Sequence, residues 1–240
     1  QLFARLAHAG AVVERHLFTA GRLAAFAGGV GIVFGLLEQW ITLDLGFDKF
    51  GEFLVRQLQQ LEIHTHDVRL GDISGIQDLS ALHALRLRFA LDCKDLKVLY
   101  TLPKLRCLEM GSNIALKNLN FLKNLPHLEE LEVSYCEHLE SVDGIRHLTR
   151  LKRLELGGYD FIEELDFLKP SAATLEDLKL SNCHNLKDVR VIAAMKNLRH
   201  LSLLNSDSIE VDMEDTSGLN TLDHPDALDA YRQEVKAFYE

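Results

Sequence analysis

Apolar residues recur through most of this chain at a fixed spacing of 23 or 24 residues. Every repeat begins with a leucine, has a second leucine three residues later, and has another apolar residue two residues after that. Apolar residues follow at repeat positions 12, 15, 18 and, mostly, 21. The repeats begin at Leu82, Leu105, Leu128, Leu151, Leu175 and Leu198, with a weaker copy at Leu58. A period in this range is typical of a solenoid, in which each repeat packs only on its neighbours.

The spacing within one repeat predicts its local structure. At positions 4 to 6, apolar residues flank a polar one, as in Leu131–Glu132–Val133, which is the alternation of a half-buried strand. Apolar residues at every third position from 12 to 21 suit 3₁₀ turns, where residues i and i+3 align. Each repeat is therefore predicted to form one short strand and a tight or irregular return.

The pattern LxxLxLxx(N/C)xxLxxLxxLxx resembles the leucine-rich-repeat family, most clearly in LEELEVSYCEHLESVDGIRHLTR and LEDLKLSNCHNLKDVRVIAAMKN. The short return resembles the phosphatase-regulator and internalin-type subclass. The resemblance implies an α/β solenoid: a horseshoe with a parallel sheet on its concave side, a 3₁₀ or irregular convex side, and a binding function. At position 9, where the family bonds the backbone of the turn, the chain has Asn113, Cys136 and Cys183 but departs to Ala90, Tyr159 and Ser206.

Three regions are predicted. Residues 58–210 form the array, residues 1–57 a helical N-terminal cap, and residues 211–240 an acidic tail with a capping helix from Asp223, whose apolar stripe is Leu228, Tyr231, Val235 and Phe238. Within the N-terminal region we expect helices over Phe3–Phe26 and Phe47–Leu58. The uncharged segment Leu23–Leu37 would span about 22 Å as a helix, less than the roughly 30 Å of a bilayer. It is predicted to be a buried cap, with membrane contact as the alternative.

Charge and cysteine content limit the function classes. The net charge is −10, and residues 207–240 hold ten acidic residues against Arg232 and Lys236, a local charge of −8. Nucleic acid is not an expected partner, because phosphate binding needs clustered basic residues. Cys136 and Cys183 lie two repeats apart, roughly 10 Å at strand spacing, which is too far for a disulfide. We therefore expect free thiols and a cytoplasmic location.

No motif of an enzyme is found in the sequence: it contains no phosphate-binding loop, no HExxH and no GxSxG. We predict a protein without enzymatic activity or cofactor. A metal site at Glu62, His64 and His66 is an alternative, but Arg86 and Arg88 on the neighbouring strand would repel a cation.

Positions 3, 5, 7 and 8 of each repeat are predicted to be displayed on the concave face. Glu109, Glu132 and Glu155 should then lie side by side about 5 Å apart, which favours a basic partner surface. Small residues at position 7 leave room beside them, and tyrosines flank them. The predicted partner-binding residues are Arg86, Arg88, Glu109, Glu130, Glu132, Tyr135, Arg153, Glu155, Tyr159, Asp177 and Lys179.

The predicted function is protein–protein interaction through that face. Two alternatives stay open: the repeats are the targeting arm of a larger receptor, effector or enzyme, or a scaffold attached to a membrane through Leu23–Leu37. Residue 1 is Gln rather than Met, which predicts a fragment or a processed product.

Overall fold

In the computed structural model, the described residues are 22–27, 30–35, 58–65, 73, 76–88, 92–206, 221–222 and 225–240. The chain divides into two compact units, residues 1–116 and 117–240. Predictions for residues 3–21, 36–57, 66 and 207–220 lie outside the described residues.

The described residues of the first unit include five strands and a 3₁₀ helix. Strands β1 (Arg22–Ala27) and β2 (Val30–Gly35) pair antiparallel, and β2 pairs antiparallel with β3 (Gln60–Thr65). Strand β3 then pairs in parallel with β4 (Ala84–Arg88), and β4 with β5 (Cys107–Gly111). The 3₁₀ helix η1 (Lys97–Thr101) lies between β4 and β5 in the chain.

The second unit continues the same repeat. Strands β6 (Glu130–Ser134), β7 (Arg153–Gly157), β8 (Asp177–Ser181) and β9 (His200–Leu204) pair in parallel, in that order. Strand β10 (Thr221–Leu222) pairs antiparallel with β9. The 3₁₀ helices are η2 (Asn120–Asn124), η3 (Asp143–His147), η4 (Asp166–Ser171) and η5 (Arg190–Ala194), and one α-helix, α1 (Pro225–Tyr239), follows β10.

The predicted division into strand and 3₁₀ return is confirmed, and its physical cause is visible in the hydrogen bonds. In one repeat, the amide of Leu122 donates to the carbonyl of Leu119, Leu125 to Leu122 and Leu128 to Leu125, over 2.9 to 3.1 Å. These i to i+3 bonds satisfy the backbone while directing every third side chain inward. The apolar residues at repeat positions 4, 6, 12, 15, 18 and 21 are buried in both units wherever their side chains are described.

The N-terminal prediction was wrong where it can be checked. Arg22–Ala27 and Val30–Gly35 are antiparallel strands, although Phe3–Phe26 and Leu23–Leu37 were expected to be helical. Val30, Ile32 and Val33 are β-branched and favour strands, while glycines disfavour a helix. The strands are separated in sequence by two glycines, a dipeptide common in two-residue hairpin connections. No helix in the described ranges is long and apolar enough to cross a membrane.

The C-terminal helix prediction is confirmed, with one correction. Leu228, Tyr231 and Val235 of α1 are buried, but Phe238, assigned to the same stripe, is 50% exposed. The helix end is attached instead by Tyr239, whose hydroxyl donates to the Lys187 carbonyl over 2.9 Å and accepts from the Val189 amide over 3.2 Å. The guanidinium of Arg190 lies 5.1 Å from the Tyr239 ring centroid.

Different side chains occupy position 9, inside the turn, in different repeats. Asn113 is fully buried, donates from Nδ2 to the Cys93 carbonyl and accepts from the Ala115 amide. Tyr159 is also buried, and its hydroxyl accepts from the Cys136 amide over 3.3 Å. Burial raises the pKa of the Tyr159 phenol and raises the pKa of the Cys183 thiol to about 11. All four cysteines are free, as predicted, and all four are buried.

Gly144→Ala should destabilise the second unit. An added Cβ would lie 1.9 Å from the carbonyl oxygen of Leu119, so η2 and η3 would have to separate. Overpacking of this kind costs about 1–3 kcal/mol, which urea unfolding will measure. Gly157→Ala is the matched control, because the one close contact of its Cβ would be the Ser181 hydroxyl at 2.8 Å, which can rotate away. Equal losses in the two variants would contradict the close backbone approach.

Alkaline pH should weaken the fold partly through Cys183. The folded pKa lies above the reference value of 9.0, so the unfolded chain loses this proton first and the free energy of unfolding falls as pH rises from about 9 to about 11. Urea unfolding measured across that pH range should show that the free energy of unfolding falls less steeply in Cys183→Ala than in the wild type. Identical pH dependence in the two proteins would exclude a contribution from this thiol.

Candidate interaction surface

Parallel pairing in register turns each displayed repeat position into a row of side chains that crosses neighbouring strands. In the second unit the rows run over β6, β7, β8 and β9, in that order. The position 3 row is Glu130, Arg153, Asp177 and His200. The position 5 row is Glu132, Glu155, Lys179 and Ser202, and the position 7 row is Ser134, Gly157, Ser181 and Leu204.

The position 3 row is held together by ion pairs. Arg153 lies between two carboxylates: Nη1 is 3.0 Å from Oε2 of Glu130, and Nε is 3.3 Å from Oδ2 of Asp177. All three were predicted partner-binding residues, and Arg153 and Glu130 have 54% and 41% of their side chains exposed. Asp177 has only 13% exposed. These charges largely neutralise one another, so this row is a weak source of attraction for a partner.

A similar alternation occurs one residue earlier in the repeat, at position 2, which was not among the predicted displayed positions. Lys152 Nζ lies 2.7 Å from Glu129 Oε2, and Arg199 Nη1 lies 3.9 Å from Glu176 Oε2. Hydrogen bonding to Glu129 raises the pKa of Lys152, whose side chain is about half exposed. The alternation of sign at a spacing of 23 or 24 residues is visible in the sequence once position 2 is read as a row.

The position 5 row differs, because it places two like charges side by side. Glu132 and Glu155 are direct register partners on β6 and β7, and both are half-buried. Lys179, which is exposed, follows Glu155 on β8. The prediction that Glu132 and Glu155 are neighbours is confirmed, and the pair concentrates negative charge on the adjacent strands β6 and β7.

In the first unit the charges of the position 5 row alternate. Arg86 lies between Glu62 and Glu109 in register, and its Nε donates to Oε1 of Glu109 over 2.6 Å. Only 24% of the Arg86 side chain and 14% of the Glu109 side chain are exposed. Glu109 therefore forms an ion pair with Arg86 within this row. Arg88 is the register partner of His64, and its side chain lies outside the described part.

The two tyrosines predicted to flank the glutamates have different environments. Tyr135 is 58% exposed, as predicted. Tyr159 is 2% exposed, so its prediction as a displayed residue was wrong. It occupies position 9, which points into the turn, and its hydroxyl bonds backbone there as the Asn113 amide does in its own repeat. Its ring contacts the half-exposed Phe161, with centroids 5.6 Å apart.

Just beyond the strands, the exposed loops carry a further polar pair. Asp160 Oδ1 is 2.7 Å from Nδ1 of His184 and also accepts from the His184 amide. The hydrogen bond with His184 holds the pKa of the Asp160 carboxyl below its usual value. Among the described residues, no group of three His, Cys, Asp or Glu side chains is placed to hold a metal ion.

The chain is similar to solved leucine-rich-repeat proteins at low sequence identity. Internalin C2 from Listeria monocytogenes is 20% identical over 61% of this chain and 71% of its own, with a TM-score of 0.45. Internalin F from the same organism is 18% identical over 59% of this chain and 50% of its own, with a TM-score of 0.40. A plant peptide hormone receptor, RGFR1 in complex with RGF2, is 17% identical over 62% of this chain and 36% of its own, with a TM-score of 0.32.

No protein-family model matches the chain, and no curated protein sequence matches it. The fold assignment rests on the repeats themselves. Within each unit, the short strands of neighbouring repeats pair in parallel at an offset of 23 or 24 residues. The chain returns from one strand to the next through i to i+3 hydrogen bonds. The chain therefore has the leucine-rich-repeat fold.

Proposed function

We propose that this chain is a non-enzymatic protein-interaction module and that the sheet face of residues 117–240 binds a partner with a basic surface. The main observation in support of this proposal is that Glu132 and Glu155 are register partners on β6 and β7. Like charges directly opposite on neighbouring strands destabilise a sheet by up to about 1 kcal/mol. A cation supplied by a partner would remove that repulsion on binding.

The neighbouring rows make this pair distinctive. In the repeats that contain β6 to β8, each acidic residue at positions 2 and 3 has a basic residue at the same position of a neighbouring repeat, and the ion pairs Lys152–Glu129 and Arg153–Glu130 form. Only at position 5 do two acidic residues meet. The charge pattern therefore favours attraction of Lys or Arg between the ion-paired row and the small residues of position 7.

Composition supports the same class of partner. The net charge of −10 favours basic proteins and opposes nucleic acid. Four buried free thiols are compatible with a reducing compartment, and a cytoplasmic location is part of the proposal. The absence of catalytic motifs in the sequence supports a binding role.

A charge reversal tests the proposal. Wild-type protein and the double variant Glu132→Lys/Glu155→Lys are immobilised, and captured proteins are quantified by mass spectrometry. Some partners should be captured by the wild type less strongly as salt is raised. The variant should capture about tenfold less of these partners, or less still, because paired interfacial charges are worth more than 1.4 kcal/mol.

The matched control is Glu163→Lys/Glu164→Lys, which makes the same charge change at exposed residues outside the strands. This control should retain the same partners. Thermal unfolding verifies that each variant is folded. Equal capture by the wild type and by the Glu132→Lys/Glu155→Lys variant, with both folded, would show that this face is not the binding site.

A further inference from the structure

Position 8 of the repeat has an unusual backbone conformation in the later repeats of the array. Its φ angle is positive in the five described repeats from Leu105 onward, between 52° and 85°. The residues are Ser112, Tyr135, Gly158, Asn182 and Asn205. Glycine and asparagine tolerate this left-handed region, and serine is small, whereas a bulky side chain is a genuine outlier there. Tyr135 therefore occupies a position where the fold itself disfavours it.

The contacts of the Tyr135 ring do not explain its presence. The ring lies over Gly158, with Cδ1 3.3 Å and Cε1 3.6 Å from where a Gly158 Cβ would be. Its hydroxyl is 3.5 Å from Nδ2 of Asn182, at the limit of a hydrogen bond, and Asn182 Oδ1 accepts from Asn205. The residue nevertheless remains 58% exposed, so it gains little from burial. A conformational cost without compensating burial is the mark of a functional residue.

Gly158 contributes to this arrangement by leaving space. A side chain there would press against the Tyr135 ring, so the glycine leaves room for the ring beside the adjoining repeat. Asn182 and Asn205 continue the row with exposed or half-exposed amides. The result is an open aromatic face bordered by hydrogen-bonding groups at the carboxyl ends of β6 to β9.

We propose that Tyr135 is the aromatic anchor for a Lys or Arg side chain of a protein partner, kept at a cost to the stability of the fold. This inference rests on the protein-binding function proposed above and specifies its contact. Cations bind the faces of aromatic rings. Glu132 lies three residues before Tyr135, and Glu155 lies three residues before Gly158, about 10 Å along each strand. Their negative charges also attract a basic side chain.

The remaining displayed residues at this edge admit such a side chain. Ser134, Gly157 and Ser181 are small, and none of the position 7 and 8 residues of β6 to β9 is charged. A basic side chain on the ring therefore meets no repelling charge within these two rows. A neutral or acidic partner would gain nothing from the two glutamates.

The test combines stability with peptide binding. A displayed library of random peptides is selected on the wild-type protein, and enriched peptides are measured by titration against the variants. In Tyr135→Asn the melting temperature should stay the same or rise by roughly 2–4 °C, because Asn tolerates the left-handed conformation. Peptides rich in Lys or Arg should be enriched on the wild type, and their affinity should fall about tenfold in this variant.

Two further variants separate the causes. Tyr135→Phe keeps the ring and the backbone cost and should retain most of the affinity. Tyr100→Asn is the matched control, because Tyr100 is another exposed tyrosine, 38% exposed and located on η1, and its loss should leave peptide affinity unchanged.

Several outcomes would overturn the inference. A melting temperature lowered by more than about 4 °C in Tyr135→Asn would make the residue structural. Failure to enrich basic peptides on the wild type over Tyr135→Asn would remove the cation-binding role. Peptides that depend on Glu132 and Glu155 but not on Tyr135 would leave the proposed function standing without this anchor. Peptides that depend on Tyr135 but carry no basic residue would contradict the partner chemistry.

Discussion

The structure depends on the in-register stacking of buried apolar side chains across parallel strands. Leu131, Leu154, Leu178 and Leu201 form one such row in the second unit. All four are at most 1% exposed. A single repeat cannot bury these side chains alone, and a slip by one residue would turn them to the displayed face. The register is therefore fixed by the core, and the exposed rows follow from it.

This dependence explains how an unfavourable surface can persist. The burial of each leucine contributes about 1.5–3 kcal/mol, whereas a like-charge pair or a left-handed tyrosine costs on the order of 1 kcal/mol. The core can therefore support both the Glu132–Glu155 pair and Tyr135 without losing the fold. Such local conflicts are expected at functional sites rather than elsewhere. The two features also lie on the same two repeats, β6 and β7 with their following turns.

Most of the array could be predicted from the sequence because its period specifies strand, return and register together. The pairing of Glu132 with Glu155 followed directly from that period. Other features depend on information that a period does not contain. The strands Arg22–Ala27 and Val30–Gly35 lie outside the repeated part of the sequence, so the period does not predict them. The uncharged segment Leu23–Leu37, with its Ala and Gly residues, is compatible with a buried strand as well as with a helix. Tyr159 was misassigned because position 9 points inward, a direction set by the backbone of the turn.

Cross-linking of engineered cysteines tests the register most directly. In-register parallel residues lie about 4.8 Å apart, within the range for a disulfide, whereas an offset of two residues gives about 8 Å. We expect Glu132→Cys/Glu155→Cys to form an intramolecular disulfide under mild oxidation and Glu132→Cys/Gly157→Cys not to form one, while the native buried thiols stay unreactive. Equal cross-linking of both pairs, or preferential cross-linking of the offset pair, would contradict the register on which the surface rows depend.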